Sequence, residues 1–539
     1  FPTRRSSDLI LGRTGPANQT TAGGGFSFGS LSAYAGGGSE RVRYFGTGRV
    51  FHIGTLRFVP GVDIPYHFED LYGSLVFGPP DRPKGRVTVF ATQDRAGDQS
   101  DLYLNWDNLV VGTRWRLVDR PATSFELSTA AASFRQSGDD VPVVRSSSFA
   151  DIRNRFARLS VNGDLVKTAA ATRFATGFSL GWRTVRNQIT DGSLQQAGVP
   201  QFQRTSVDVD RLEWGGYAEA TRRFGRVALE AAVRADGAGA EISVQPRVHA
   251  RWALDPKVEI SAGAGRTSRL FHLLGDARSE PDFDFLDFWL NAGDSIPVAR
   301  VDHATIDVNV DLSPLVARLS AYRSLGTGIG EVRPEFDQRP RAFDFFRFGR
   351  SRTHGVEAQL AYRGTANHPH SLSVSYGYSW SERDWGEGWT RWAQDRRHQF
   401  RIFGQYQLGR LTLFGALDAA TGMPTTAADL GYRRQVPGLS DEANNPFATG
   451  AIIYGPENAV ATSGTFRVDG GFNWIIGNRG KKRIILGAGV INLLQTAVAP
   501  IASGVGSGRP AVDRAGNPTL YRRLFDLPGF PTFTLRMEF

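Results

Sequence analysis

Apolar and polar side chains alternate with a period of two along segment after segment of this chain. In 466–476, Phe466, Val468, Phe472, Trp474 and Ile476 oppose Arg467, Asp469 and Asn473. In 304–312, Ile306, Val308, Val310 and Leu312 oppose Thr305, Asp307, Asn309 and Asp311. In 371–380, Leu372, Val374, Tyr376, Tyr378 and Trp380 alternate with Ser371, Ser373, Ser375, Gly377 and Ser379. A period of two puts each set on its own face of a β-strand. The polar face carries ionisable groups, and unpaired charge is prohibitive in a dry core. One face therefore meets an apolar medium and the other a wet or plugged interior.

Other classes fall away on composition. No run of 18 apolar residues exists, the nearest candidate being 484–494, so spanning helices are excluded. Mean hydropathy of −0.28 with 41% hydrophobic residues is too polar for a helical membrane protein. A barrel escapes that test, because only alternate residues face lipid. The absence of cysteine removes disulfides, Cys-based zinc sites and thiol nucleophiles together. The formal charge of +10 comes mainly from arginine. It reflects either codon bias or an arginine-lined lumen and rim that attracts anionic ligands and lipopolysaccharide phosphates. No basic cluster sits on one element, so nucleic acid is not an expected partner.

The chain reads as a succession of strands. Residues 26–35, 41–45 and 51–58 come first after Gly23-Gly24-Gly25, with Gly46-Thr47-Gly48 as a turn. Residues 67–77 and 86–92 follow, separated by Pro79-Pro80-Asp81-Arg82-Pro83, which cannot continue a ladder. Then come 102–117 with 124–134, 152–165 with 172–185, and 212–224 with 227–235 across Gly225-Arg226. Next are 244–254 with 258–264 across Asp255-Pro256, and 302–312 with 316–322 across Ser313-Pro314. The last third pairs 354–362 with 371–379, 399–408 with 411–417 across Gly409-Arg410, and 466–476 with 483–493 across Gly477-Asn478-Arg479-Gly480. Residues 533–539 close the series, giving about 22 strands, an even number.

Connection lengths sort by side. If the last strand runs inward, the short turns all fall at the periplasmic end. The connections 136–151, 186–211, 265–301, 323–350, 380–398, 418–465 and 494–532 are then the long extracellular loops. This asymmetry belongs to an outer-membrane barrel. The expected fold is therefore all-β: a transmembrane antiparallel up-and-down barrel of about 22 strands.

The final strand, with Phe533, Leu535, Met537 and Phe539 on one face, resembles the C-terminal strand that the barrel-assembly machinery reads. Barrels of about 22 strands are plugged transporters, whereas porins have about 16 to 18. The chain resembles the TonB-dependent receptor family from about residue 25 onward. The resemblance rests on 68–75 (FEDLYGSL), Gly355-Val356-Glu357, Asp395-Arg396-Arg397-His398, Ala420-Thr421-Gly422-Met423-Pro424, Arg467-Val468-Asp469, Val490-Ile491-Asn492-Leu493 and Phe539.

That resemblance implies a bacterial outer-membrane location, contact with outer-membrane lipid and lipopolysaccharide, and a TonB complex engaged through a region N-terminal to the barrel. Family members begin with a globular plug. Residues 1–9 read as a translated sequencing adapter and 10–24 as the tail of a plug, so a fragment lacking its plug is expected.

Candidate ligand contacts lie in the loops. Asp282, Phe283, Asp284, Phe285, Asp287 and Trp289 mix carboxylates with aromatic faces, which suits sugars, cationic chelates or peptides. Phe343-Asp344-Phe345-Phe346-Arg347-Phe348 form a second cluster, with Phe343 and Phe345 as its candidate contacts, and Trp385, Trp389 and Trp392 a third. Packing onto the barrel rim, or an interfacial girdle for the tryptophans, is the structural alternative. Asp395-Arg396-Arg397-His398 reads as an ion-paired structural element rather than a catalytic one.

The nine histidines show no metal spacing, and there is no nucleophile elbow, Walker loop or HExxH. Neither a cofactor nor a metal is expected. The resulting expectation is an outer-membrane receptor and transporter, monomeric by default, taking an iron chelate, a vitamin, a glycan or a peptide. A passive porin-like channel is the alternative, and an outer-membrane hydrolase a third class.

Overall fold

The computed structural model describes residues 20–27, 30–52, 66–98, 102–142, 149–194, 201–274, 288–293, 296–332, 346–365, 368–425, 428–433, 450–454, 456–462, 464–479, 482–494 and 530–538. Consecutive strands pair antiparallel around a single sheet of 23 strands. One of these, Trp389–Arg391, pairs only with the end of His368–Asp384, which leaves 22 staves. Phe530–Glu538 closes the ring: it pairs with Lys482–Ile491 on one side and Thr21–Ser27 on the other, so that Leu535 faces both Leu486 and Phe26. Closure removes the sheet edges, and in lipid each spanning strand then finds its backbone partners on its neighbours. No helix among the described residues is long and apolar enough to cross a membrane.

The registers carry the alternation around the ring. Leu360 lies opposite Ala317 and Val374, Val308 opposite Leu319 and Ile260, and Leu159 opposite Trp182. This outer face leaves Leu159, Trp182, Leu212, Val248 and Ile306 about half exposed, a band suited to hydrocarbon. The opposite parity lines the lumen, where charges meet partners. Arg318 reaches Asp307 at 2.8 Å, Arg467 reaches Asp469 at 2.6 Å, and Arg401 reaches Asp418 at 2.5 Å. Such solvated pairs contribute about 0–1 kcal/mol each. They make a charged wall tolerable, while the backbone ladder holds it.

At one end the connections are tight: 121–122, 170–171, 225–226, 313–314 and 409–410. Gly225 and Gly409 adopt φ of 57° and 58°, and a Cβ at either would meet nothing within 4 Å, so backbone conformation alone asks for glycine. The longest connections lie at the other end, as expected, which also carries the short 239–240 and 99–101, while 78–84 is the longer exception at the turn end.

Three local expectations are corrected. Gly46-Thr47-Gly48 is no turn but the middle of the strand Val42–His52, with Gly46 opposite Gly73 and Gly48 opposite Leu71 on the outer face. Neither glycine has positive φ, so nothing bends the chain there. Residues 26–35 belong to two strands, Thr21–Ser27 and Ser30–Gly38, and the expected barrel start at residue 25 falls inside the first. Much of the expected loop 186–211 is ladder, because Thr172–Leu194 and Gln201–Phe224 run to 23 and 24 residues. A membrane needs only about 9–11. Beyond that span the ribbon is joined by polar cross-strand pairs such as Thr184 to Asp210 at 2.5 Å and Arg186 to Asp208 at 3.2 Å, which leave no apolar period in the sequence.

Candidate functional site

Between Val258–Arg269 and Ala299–Leu312, the described segments 270–274, 288–293 and 296–298 pack against the inner wall of the barrel at its loop end. Phe271–Leu274 and Phe288–Asn291 form a short hairpin with Leu273 opposite Trp289. Trp289 stacks on Phe271 at 5.0 Å and on Phe156 at 4.9 Å, and meets Phe134 edge-on at 5.8 Å. Phe134 and Phe156 share the lumen-facing parity of Gln136 and Asn154, so the hairpin lies inside the ring. The Arg183 guanidinium covers Phe271 at 3.8 Å while pairing with Glu213 at 2.6 Å, and Asn187 Nδ2 donates to the Trp289 carbonyl at 2.5 Å. Leu290, Ile296 and Val298 are buried beneath.

Inside this packing, His272 Nε2 donates to the Pro297 carbonyl at 2.8 Å, with Phe348 edge-on at 5.7 Å. Burial, first, and Arg269 lower its pKa from the ordinary 6.5, while the bond to Pro297 opposes that shift. The imidazole is therefore held neutral with its proton on Nε2. Trp289 Nε1 and both amide atoms of Asn291 are buried without a hydrogen-bond partner among the described residues. Each such group costs about 1–3 kcal/mol, a cost that a polar ligand atom would relieve.

A second group forms where four segments meet. Arg347 binds Glu331 and Glu457, reaching Glu331 through Nε at 2.7 Å and Glu457 through Nη1 at 3.1 Å. The indole of Trp385 lies 4.5 Å from the Arg347 guanidinium, and that of Trp392 lies 4.4 Å from Arg383. Trp385, Trp392, Arg383, Arg391, Glu457 and Asn458 line one cleft. Trp389 is elsewhere, against Arg352 at 4.3 Å and Arg350 at 5.7 Å. The hairpin carrying these tryptophans is pinned by Asp384, which binds Arg350 and accepts the amides of Gly386 at 2.9 Å and Gly388 at 3.2 Å.

Asp395 is enclosed, accepting from the Ser381 amide at 3.1 Å, Arg391 at 3.2 Å and Arg397 at 2.8 Å. It is an ion-paired brace between strand and loop. Among the described residues no group of three or more His, Asp or Glu is arranged to hold a metal ion.

The candidates thus separate. Trp289 packs in the lumen, Trp385 and Trp392 share a cleft, and Trp389 sits apart. Asp282, Phe283, Asp284, Phe285, Asp287, Phe343 and Phe345 lie outside the described residues. Phe533, Leu535 and Met537 stand on the outer apolar face, 56%, 37% and 38% exposed, and Phe539 is outside the described residues. Arg183, His272 and Arg383 carry no signal in the sequence, and Arg347 stands there only as a member of the aromatic run 343–348. Their roles come from partners far along the chain, Glu457 being 110 residues from Arg347, and no local spacing signals that.

Comparison with known proteins agrees with this architecture. The family model described as TonB dependent receptor-like, beta-barrel matches residues 38–493. No curated protein matches the chain. Among solved structures, the copper transporter OprC is 13% identical with a TM-score of 0.62, over 96% of this chain and 79% of that one. The ferric yersiniabactin uptake receptor FyuA from Yersinia pestis is 9% identical with a TM-score of 0.64, over 97% and 80%. The ferric-catecholate import receptor Fiu from K12 E. coli is 11% identical with a TM-score of 0.62, over 98% and 81%. At such identities the likeness is one of fold.

Proposed function

From the premise that this chain belongs to the TonB-dependent receptor-like β-barrel family, we propose that it captures an anionic metal chelate at the loop end and passes it through the lumen in a step energised by the TonB complex. Membership makes it a receptor and transporter of the bacterial outer membrane and not an enzyme. The loop end is then the extracellular mouth, and the aromatic and arginine groups gathered there are the capture surface.

The observation that carries the ligand class is the cleft lined by Trp385 and Trp392, where Arg383 lies 4.4 Å from the Trp392 ring and Arg391, paired with Asp395, adds to the lining. Guanidinium groups supply directional donors to carboxylate or catecholate oxygens, and indoles supply flat apolar area for the chelator's rings. Glu331 and Glu457 are already engaged by Arg347, and Arg383, which donates to the Glu382 carbonyl at 3.4 Å, has no ion pair of its own among the described residues. The ferric-chelate receptors named above share the fold, and their cargo agrees with this class.

The test is a tryptophan-fluorescence titration of the full chain in detergent with ferric citrate, a ferric catecholate and cobalamin. Saturable quenching by the anionic ferric chelates, weakened at least tenfold in Arg383→Met, is expected. A response to cobalamin alone, or equal affinities in the variant, overturns the ligand class. Uptake by cells that stops when the proton gradient is collapsed supports coupling, and uptake that persists favours a passive channel.

A further inference from the structure

We propose that the turn end of the barrel binds anionic phospholipid headgroups, and that the face bearing Lys167, Phe174, Arg222 and Phe224 is one such site. The proposal takes from the family only that the barrel spans the outer membrane.

Parity identifies the site. Lys167 continues the outer face of Leu159 and Leu165, and lies directly opposite Phe174. Arg222 continues the outer face of Leu212 and Trp214, and its guanidinium sits 4.9 Å from the Phe224 ring. These two cations flank the strand Thr172–Leu194 from either side, Lys167 opposite Phe174 and Arg222 opposite Thr172, with backbones about 12 Å apart across two inter-strand spacings and a two-residue stagger.

Both point where only lipid and headgroups can be, and neither has a carboxylate partner among the described residues. Arg173, in the same turn but on the lumen parity, pairs with Glu219 at 2.6 Å. The difference is one of face. A lumenal cation finds a counter-charge in the wall, whereas an outward one must find it in the membrane. Phe174 and Phe224, each 50% exposed, fix the depth, since aromatic rings settle at the boundary between hydrocarbon and headgroups. Lys167 lies level with Phe174, and Arg222 falls between the level of Phe174 and that of the turn-side Phe224, so both stand at this boundary and extend their charged heads into the phosphate layer.

Among the described residues the rest of the rim is mixed but net positive, with exposed Arg41, Arg82, Lys84, Arg120, Arg226, Lys257, Arg363 and Arg410 against Glu40, Asp81, Asp119, Asp255 and Asp311. Of the nearby carboxylates, Asp119 is 3.2 Å from Arg82, while Asp255 and Asp311 accept turn amides at 2.7 Å and 3.0 Å. The excess positive charge matches a leaflet containing anionic lipid, and each cation near such a surface contributes about fivefold in affinity.

The experiment is native mass spectrometry of the full chain, folded in micelles containing equimolar phosphatidylglycerol and phosphatidylethanolamine. Heat-modifiable gel mobility verifies folding in parallel. Wild type is expected to retain phosphatidylglycerol at least tenfold over phosphatidylethanolamine, and Lys167→Gln/Arg222→Gln to fall close to parity. Arg173→Gln is expected to keep the preference. Raising salt to about 0.5 M should erode the wild-type preference, because screening shortens the reach of surface charge. Equal retention of both lipids by wild type overturns the proposal. So does a preference unchanged in the double variant or in salt, or a wild type that ignores phosphatidylglycerol yet binds polyglutamate.

Discussion

The ring of Trp289 stacks on that of Phe156 with centroids 4.9 Å apart and planes 24° from parallel. One belongs to a loop hairpin and the other to the barrel wall, so the contact couples the mouth to the lumen. Aromatic pairs of this kind contribute about 0.5–1.5 kcal/mol beyond their buried area, and Trp289 also meets Phe271 and Phe134. Trp289→Ala is expected to undock the hairpin and leave the ring of strands intact. In hydrogen exchange, the amide of Ala292, which donates to the Leu270 carbonyl at 3.0 Å, should exchange at least tenfold faster while those of 156–166 do not change. Unchanged exchange in the hairpin would show that the stack does not hold it.

His272 makes the same docking sensitive to pH. Its folded pKa lies below the ordinary 6.5, chiefly through burial, so the packed hairpin prefers the neutral ring. The docking contribution is fully present above about 6.5, and is lost as pH falls through the folded value. Hairpin exchange should accelerate on acidification across that window. His272→Gln keeps a donor for the Pro297 carbonyl without a titrating group and should flatten the profile. A profile identical in wild type and variant assigns the effect to another group.

How far such features are legible in the sequence depends on whether they are local. The barrel was legible because Phe466, Val468, Phe472 and Trp474 repeat a face every second residue, and the register only multiplies that pattern around the ring. The strand count agrees because two errors cancel: Val42–His52 is read as two strands, and Thr21–Ser27 with Ser30–Gly38 as one. The Gly46-Thr47-Gly48 error shows where this fails: glycine marks a turn only when φ demands it, and here it merely occupies the outer face. At the mouth the tryptophans were visible as residues but not as a site. Trp385 and Trp392 share a cleft with Glu457 and Asn458, which arrive from another loop and have no periodic relation to them.

Arg347 is the tie between those loops. It holds Glu331 and Glu457 together, and all three are largely sheltered from solvent. Removing the cation would leave two carboxylates facing each other, so Arg347→Met should cost more than Glu457→Gln, which leaves Arg347 one partner. A loss of about 2–3 kcal/mol in local opening energy is expected for Arg347→Met. Most of it should be recovered when Glu331→Gln and Glu457→Gln are added. Hydrogen exchange at Val332 and Phe348 reads the opening, and additive losses in the triple variant would deny the coupling.

Turn chemistry gives a prediction with two opposite signs. Gly225 and Ala170 each open a two-residue connection at the same end, with φ of 57° and 50°. The left-handed conformation costs an L-residue about 1–2 kcal/mol relative to glycine, and a Cβ at Gly225 meets no neighbour that would add to it. Gly225→Ala should therefore lower stability by about 1 kcal/mol. Ala170→Gly should raise it by less, about 0.5 kcal/mol, because glycine also gains freedom in the unfolded chain. Urea unfolding of the barrel folded into lipid vesicles measures both under one condition. Because the two changes exchange the same pair of residues in the same kind of turn, shifts of equal sign would mean that backbone conformation does not set turn stability here.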